Sequence, residues 1–246
     1  MTAEAPGSEN GLKIVGQVAV GFPPAPGSYA GSAYGNAQPN TQTATWLFVR
    51  PEGSVTVYAG KVEYGQGIRT GLAMAVADEL RMPLEAVEVV LGDTDSAPWD
   101  MGTFGSLSTA LVGLQLRRAA ATARQALLEL AASRLDLPAS ELVCRDGRVT
   151  SHHDSGRSMG YGELVAGQSL SRDLMEDAAL TPADEFTIMG KAAQRIDAVA
   201  RVTGQALYSY DIVVPDMLFA KVLRPPSYGA KLIGVDPSAA ERMPGR

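Results

Sequence analysis

Between Thr45 and Arg134 the apolar positions follow first a strand period and then a helix period. The runs "TWLFV" and "SVTVYAG" are short and rich in β-branched and aromatic residues, with "RPEGS" as a Pro/Gly turn between them, so the spacing predicts a hairpin. Leu72, Val76 and Leu80 then recur at fourfold spacing beside Ala73 and Ala77, which predicts a helix starting near Thr70 and closed from outside by Pro83. "AVEVVLGD" reads as a further strand. "TDSAPWDMGTFGS" reads as a loop from its Pro and Gly content, and Leu107, Leu111, Leu114, Leu127 and Leu130 mark a long helix ending near Arg134. The expected order is ββαβ, loop, α.

On either side the pattern fades. Residues 1–45 are rich in Gly, Pro, Ser, Asn and Ala without periodicity and read as an extended or disordered N-terminal arm. The first structured region is expected over 46–150, closing with "DLPASELVCRDGRVTS", a short helical turn and a hairpin about Asp146-Gly147. Residues 151–189 are polar and mixed, and are expected to form a linker across the surface. A second block over 190–246 carries "RVTGQALYSYDI" and "MLFAKVLRP", which alternate as strands do on either side of Pro215. Two strands do not make a domain, so this block must borrow packing from the first region, from further sequence or from another chain.

Composition narrows the partners. With 246 residues and 46% hydrophobic content the chain can bury a real core, and a formal charge of -6 disfavours nucleic acid and anionic membrane, which both select basic surfaces. Cys144 is the single cysteine, so neither an internal disulfide nor an iron–sulfur cluster can be built from this chain alone. No basic start leads into an apolar core, and no run approaches the ~20 apolar residues of a membrane span. The expected location is cytoplasmic, or periplasmic if a signal has been lost, without membrane insertion.

Two glycine-rich turns carry the candidate chemistry. "EYGQGIRTG" places Gly65 and Gly67 before a helix, where N–H groups lack intrahelical partners and the helix dipole favours an anion; Gln66 could donate to phosphate oxygens, with Arg69 as the nearest compensating charge. The same glycines equally suit an ordinary strand–helix connection. "MGTFGSLST" repeats the arrangement with Gly102 and Gly105, and Ser106 and Ser108 are good N-caps for the long helix. If the intervening helix crosses between parallel strands, both turns lie along one sheet edge, where α/β folds tend to bind ligands. The glycine spacing does not fit a nicotinamide fingerprint, and the absence of Gly-Lys-Ser/Thr excludes a P-loop. His152-His153-Asp154 reads as a solvated loop, Cys144 as a small buried hydrophobe, "DELRMPLEAVE" as a solvated acidic face, and "GDTDSAPWD" lacks the glycine and glutamate of a calcium loop.

The segments "GKVEYGQGIRTGLAMAVADEL", "VEVVLGDTDSAPWDMGTFGSLSTA" and "GKAAQRIDAVARVTGQALYSYDIVVPDMLFAKVLRPPSYGAKLIGVD" resemble, in that order, parts of the molybdopterin-binding subunits of the xanthine dehydrogenase family. They look most like the isoquinoline 1-oxidoreductase β-subunit and nicotinate dehydrogenase branch. The resemblance runs from about Thr45 onward. It implies an α+β fold: a mixed sheet with crossover helices in a molybdopterin-binding portion, followed by the start of an α/β hammerhead domain. It also implies a molybdenum cofactor, usually molybdopterin cytosine dinucleotide. Gly65, Gln66 and Gly67 match the loop at its phosphates, while Gly105, Ser106, Ser108 and Thr109 match the loop at the pterin and metal end. The metal is ligated by the pterin dithiolene, so no protein metal ligand is expected.

Family enzymes hydroxylate N-heteroaromatic rings or oxidise aldehydes with water-derived oxygen, passing electrons to two [2Fe-2S] clusters on a ferredoxin-like small subunit, with a cytochrome or flavin subunit as a further candidate partner. The family's base lies in a Gly-Glu-Pro-Pro-like segment that does not occur here, and Glu63, Glu79 and Glu185 do not fit it. No catalytic residue is therefore assigned. The implied protein is the N-terminal third of a large subunit, inactive alone: either a truncated gene product or one piece of a split subunit whose remainder is a separate chain. The competing readings are a non-catalytic remnant or interaction protein with structural glycine loops and, less favoured, a nicotinamide-dependent dehydrogenase.

Overall fold

The structure is a computed structural model that describes residues 10–17, 43–100 and 102–243. It divides into two units, 1–198 and 199–246.

The first unit is built on a five-stranded mixed sheet. Strands β2 (Thr43–Val49) and β3 (Val55–Ala59) form the expected antiparallel hairpin, with Leu47 opposite Val57. Helix α1 (Ile68–Leu80) crosses over to β4 (Val87–Leu91), which pairs parallel with β3 from Val55–Val87 to Ala59–Leu91. The helix begins two residues before the expected Thr70 and ends ahead of Pro83, with Arg81 in the left-handed conformation as its C-terminal stop. After the loop 92–108 a π-helical turn, Thr109–Gly113, leads into the long helix α2 (Leu114–Leu135). Leu72, Val76 and Leu80 of α1 and Leu116, Ala120 and Leu127 of α2 pack into one core with Leu47, Val49 and Val57 of the sheet. The alanines of α2 keep its contact face shallow, so the helix lies close to α1 and the sheet.

Two parts of this sheet depart from expectation. The arm expected over 1–45 contains β1 (Gly11–Gln17), an inner strand antiparallel to β2 whose Leu12 and Ile14 are buried. Its apolar residues belong to the central sheet, and pairing on both sides fixes it; residues 18–42 lie outside the described residues. The segment 151–189 is not a surface linker. It forms β7 (Ser158–Gly160), α3 (Tyr161–Val165) and β8 (Ser169–Asp173), and β8 pairs parallel with β1 as the sheet's edge. The sheet order is thus β4-β3-β2-β1-β8. A second sheet joins β7 to the predicted hairpin of β5 (Leu142–Arg145) and β6 (Arg148–Ser151), which turns through positive φ at Asp146 and Gly147.

The remaining stretch, 174–189, is tied down by acids expected to be solvated. Asp78 and Glu79 are 1% and 0% exposed. Asp78 accepts the N–H groups of Thr187 (2.9 Å), Ile188 (3.0 Å) and Met189 (2.6 Å). Glu79 faces Thr181 and pairs with Arg117 at 2.6 Å. Buried carboxylates need donors, and a segment without its own ladder has spare N–H groups to supply them.

The second unit begins nine residues later than the expected boundary at 190. It contains the end of α4 (Ala198–Val202), a 3₁₀ turn at Ser209–Asp211 and α5 (Ser238–Glu241), and none of its described residues forms a strand. The strands expected in "RVTGQALYSYDI" and "MLFAKVLRP" are therefore not formed. Tyr210, Phe219, Leu223 and Ile233 lie in solvent, so alternation is present without a sheet to receive it.

Candidate functional site

Because β3 and β4 run parallel, the segments leaving their C-terminal ends emerge at one edge of the sheet. Gly92 donates to the Ala59 carbonyl at 3.0 Å, holding the two exits side by side. The two helices that follow also start as neighbours, since the turn Thr109–Gly113 packs against α1 and Gly113 lies next to Leu72. Both glycine turns thus share one edge, as a crossover α1 requires.

The first turn is not an open cradle. Glu63, whose side chain is 6% exposed, folds over the start of α1 and accepts the N–H groups of Gly65 (2.8 Å), Gly67 (3.1 Å) and Arg69 (3.1 Å). Burial pushes its pKa up, but the three backbone donors outweigh that effect and hold the carboxyl below the usual glutamate value. Arg195 closes the arrangement, donating to the Gly65 carbonyl at 2.8 Å and standing 3.4 Å from Glu63. Gln66 is turned inward as well: its amide donates to the Val62 carbonyl at 2.7 Å and its oxygen accepts from Tyr64 N–H at 2.9 Å. The donors that the sequence offers to a phosphate are taken up within the protein, the Gly65 and Gly67 amides by the Glu63 carboxylate and the Gln66 amide by the Val62 carbonyl. Arg69 is likewise directed to the Val89 carbonyl.

The second turn is more open. Gly105 and Ser106 both have φ of 58° and occupy the centre of a turn closed by Leu107 N–H on the Phe104 carbonyl at 3.2 Å. Neither of their N–H groups hydrogen-bonds another described residue, and both residues are exposed. Successive amides in such a turn form a concavity suited to an anion. Neither serine caps a helix through its side chain: Ser106 sits in the turn, and Ser108, at the N-cap position of the π-helical turn, pairs its hydroxyl with Thr103 Oγ1 at 2.6 Å. Thr109 is exposed at the start of the π-helical turn. The residues of this edge therefore offer a polar, anionic group the second turn, which the resemblance matches to the pterin end, whereas the first turn, matched to the phosphates, is closed on Glu63 and held rigid beside it.

The edge is also apolar. Val62, Tyr64, Trp99, Leu107, Leu111 and Ile196 are the exposed large hydrophobic side chains among the described residues of the first unit, and all lie on segments at or beside the two turns. The three glutamates that do not fit the family's base are all engaged structurally. Glu63 braces the first turn, Glu79 is buried against Arg117, and Glu185 pairs with Arg81 at 2.7 Å. No cluster of metal-ligating side chains occurs among the described residues. His152 and His153 lie in the exposed β6–β7 loop, and Cys144 is buried beside Tyr161, its thiol pKa raised by burial.

The profile of the molybdopterin cofactor-binding domain family matches residues 9–207. The chain belongs to that family. It is 36% identical over 212 residues to a nicotinate dehydrogenase subunit of Pseudomonas putida, covering 83% of this chain and 18% of that protein. To the β-subunit of isoquinoline 1-oxidoreductase from Brevundimonas diminuta it is 34% identical, covering 81% of this chain and 30% of the relative. Quinoline 2-oxidoreductase from Pseudomonas putida 86 superposes on 48% of the chain and 15% of its own length, with a TM-score of 0.43 and 29% identity. The chain spans less than a third of the length of these curated relatives. No helix among the described residues is long and apolar enough to cross a membrane.

Proposed function

We propose that the chain is the cofactor-binding portion of a molybdenum hydroxylase, whose catalytic glutamate and the rest of the pocket are supplied by sequence outside these 246 residues. The observation that carries this is the shared edge, where open backbone donors at Gly105 and Ser106 occur alongside segments that carry exposed apolar side chains. A phosphate-bearing ligand accounts for the donors but not for Tyr64, Trp99 or Leu111; a covering protein accounts for those. The bound cofactor would supply the two-electron oxidation and its metal. This chain's part is to hold the cofactor: Gly105 and Ser106 donate backbone N–H groups, Ser108 and Thr109 line the same turn, and Gly65-Gln66-Gly67 form a rigid wall set by Glu63. Molybdopterin cytosine dinucleotide is the proposed form.

The same reading makes the second unit the start of an α/β hammerhead domain that gains its strands from the remainder of the large subunit. It places the [2Fe-2S] clusters on a small subunit, and the assembly in the cytoplasm, oxidising an N-heteroaromatic compound or an aldehyde. Producing the chain together with the remainder of the large subunit and a small subunit tests it. Molybdenum and releasable cytidine nucleotide should co-purify with the complex. Gly105→Val, which forces a β-branched residue to φ near 58°, should reduce both while thermal stability changes little. A wild-type complex free of molybdenum would overturn the proposal in favour of a non-catalytic interaction protein.

A further inference from the structure

Lys61 lies two residues beyond β3, and its side chain is only 8% exposed. Its ammonium reaches across to the loop that follows β4, donating to Asp100 Oδ1 at 2.7 Å and to the Gly102 carbonyl at 2.6 Å. The same Asp100 oxygen accepts Gly102 N–H at 2.8 Å, and the Asp100 side chain is 15% exposed. One cation therefore fixes the base of the second turn through both a carboxylate and a carbonyl. Gly60 completes the fit from the backbone side: a Cβ there would stand 2.4 Å from the Pro98 carbonyl, so the loop rests directly on residue 60.

We propose that Lys61 is a positioning residue for the second turn, setting where the Gly105 and Ser106 donors stand relative to the first. This rests on the function proposed above only in what those donors are for. Lys61 and Glu63 sit two residues apart in one segment, carry opposite charges and hold different turns, the lysine through Asp100 and the glutamate through Gly65, Gly67 and Arg69. The spacing between the two halves of the edge is thereby written into a three-residue stretch at the end of β3. Removing the ammonium leaves Asp100 as a poorly solvated carboxylate without its cation, so the loop base is expected to move to reach water.

The test uses the full 246-residue chain as wild type, Lys61→Met, Lys61→Arg and Asp100→Asn. Hydrogen exchange read by mass spectrometry should show a peptide over 102–108 whose bonded amides, those of Gly102 and Leu107, exchange about tenfold faster or more in Lys61→Met and Asp100→Asn, with β3, β4 and α2 unchanged. Lys61→Arg should restore slow exchange, because a second extended cation can reach the same two acceptors. In the co-produced complex Lys61→Met should lower molybdenum content and Lys61→Arg should recover it. Unchanged exchange at 102–108 in Lys61→Met overturns the proposal, as does loss of protection throughout β3 and β4 that arginine fails to correct. A wild-type complex without molybdenum defeats the proposed function instead, and the exchange result still decides the role of Lys61.

Discussion

The carboxylate of Glu79 accepts both the backbone N–H of Thr181, at 3.0 Å, and its hydroxyl, also at 3.0 Å, across 102 residues of chain. Arg117 supplies the balancing charge at 2.6 Å and at the same time stacks on the Phe186 ring at 5.0 Å. One buried acid on α1 thus joins three separated parts of the first unit. Glu79→Gln keeps the shape but leaves Arg117 without its counter-charge, and should destabilise the unit by about 3 kcal/mol. Urea unfolding of the two proteins at neutral pH measures the difference; a loss within 0.5 kcal/mol, on the scale of an ordinary surface substitution, would refute the anchoring role.

Asp78 holds the neighbouring residues 187–189 and makes that attachment pH-dependent. Burial raises its pKa, but the N–H groups of Met189, Thr187 and Ile188 outweigh burial and lower it overall. The folded value lies below the unfolded one, so the stabilisation is complete above the unfolded pKa and is lost as pH falls through the folded value. Wild type should lose stability more steeply than Asp78→Asn, which has no charge to lose, as pH falls below the ordinary aspartate value of about 4. Urea midpoints across that range should converge for the two proteins at the acid end. Parallel curves would show that Asp78 is not responsible.

Glu63 follows the same sign but acts locally. Neutralising it weakens three backbone bonds at the start of α1, so Glu63→Gln should speed amide exchange at Gly65, Gly67 and Arg69. Exchange at 102–108 should stay as it was, because that turn is held by Lys61. A uniform change across both turns would contradict separate braces.

Much of this fold can be read from periodicity. The β2–β3 hairpin, α1, β4, α2 and the Asp146-Gly147 hairpin each bury a regular set of apolar positions, and regularity is what a sequence displays. β1 is hidden because "GLKIVGQ" is short and flanked by Gly- and Pro-rich composition, although Leu12 and Ile14 alternate as an inner strand should. β8 is mostly exposed and is held by main-chain pairing, which leaves no side-chain pattern. At the site, the two glycine turns and their common edge are legible, but their state is not. The acid four residues before Gly67 is a usable sign of a self-capped helix start, whereas Lys61 and Asp100, 39 residues apart, have no local signal. In the second unit local alternation is clear, yet a strand forms only when an edge is there to pair with it.

Ser106 offers the most direct separation of backbone from side-chain roles at the edge. As a non-glycine residue at φ 58° it carries a steric cost of about 1 kcal/mol that glycine does not. Ser106→Gly should therefore preserve or slightly raise stability, and its backbone N–H should remain in place for an anion. If the backbone amides do the binding, the co-produced complex keeps its molybdenum and nucleotide in Ser106→Gly. Ser106→Val should lose both, because a β-branched residue resists positive φ and pulls the turn open. Loss of cofactor in the glycine variant with retained stability would instead assign the contact to the serine hydroxyl.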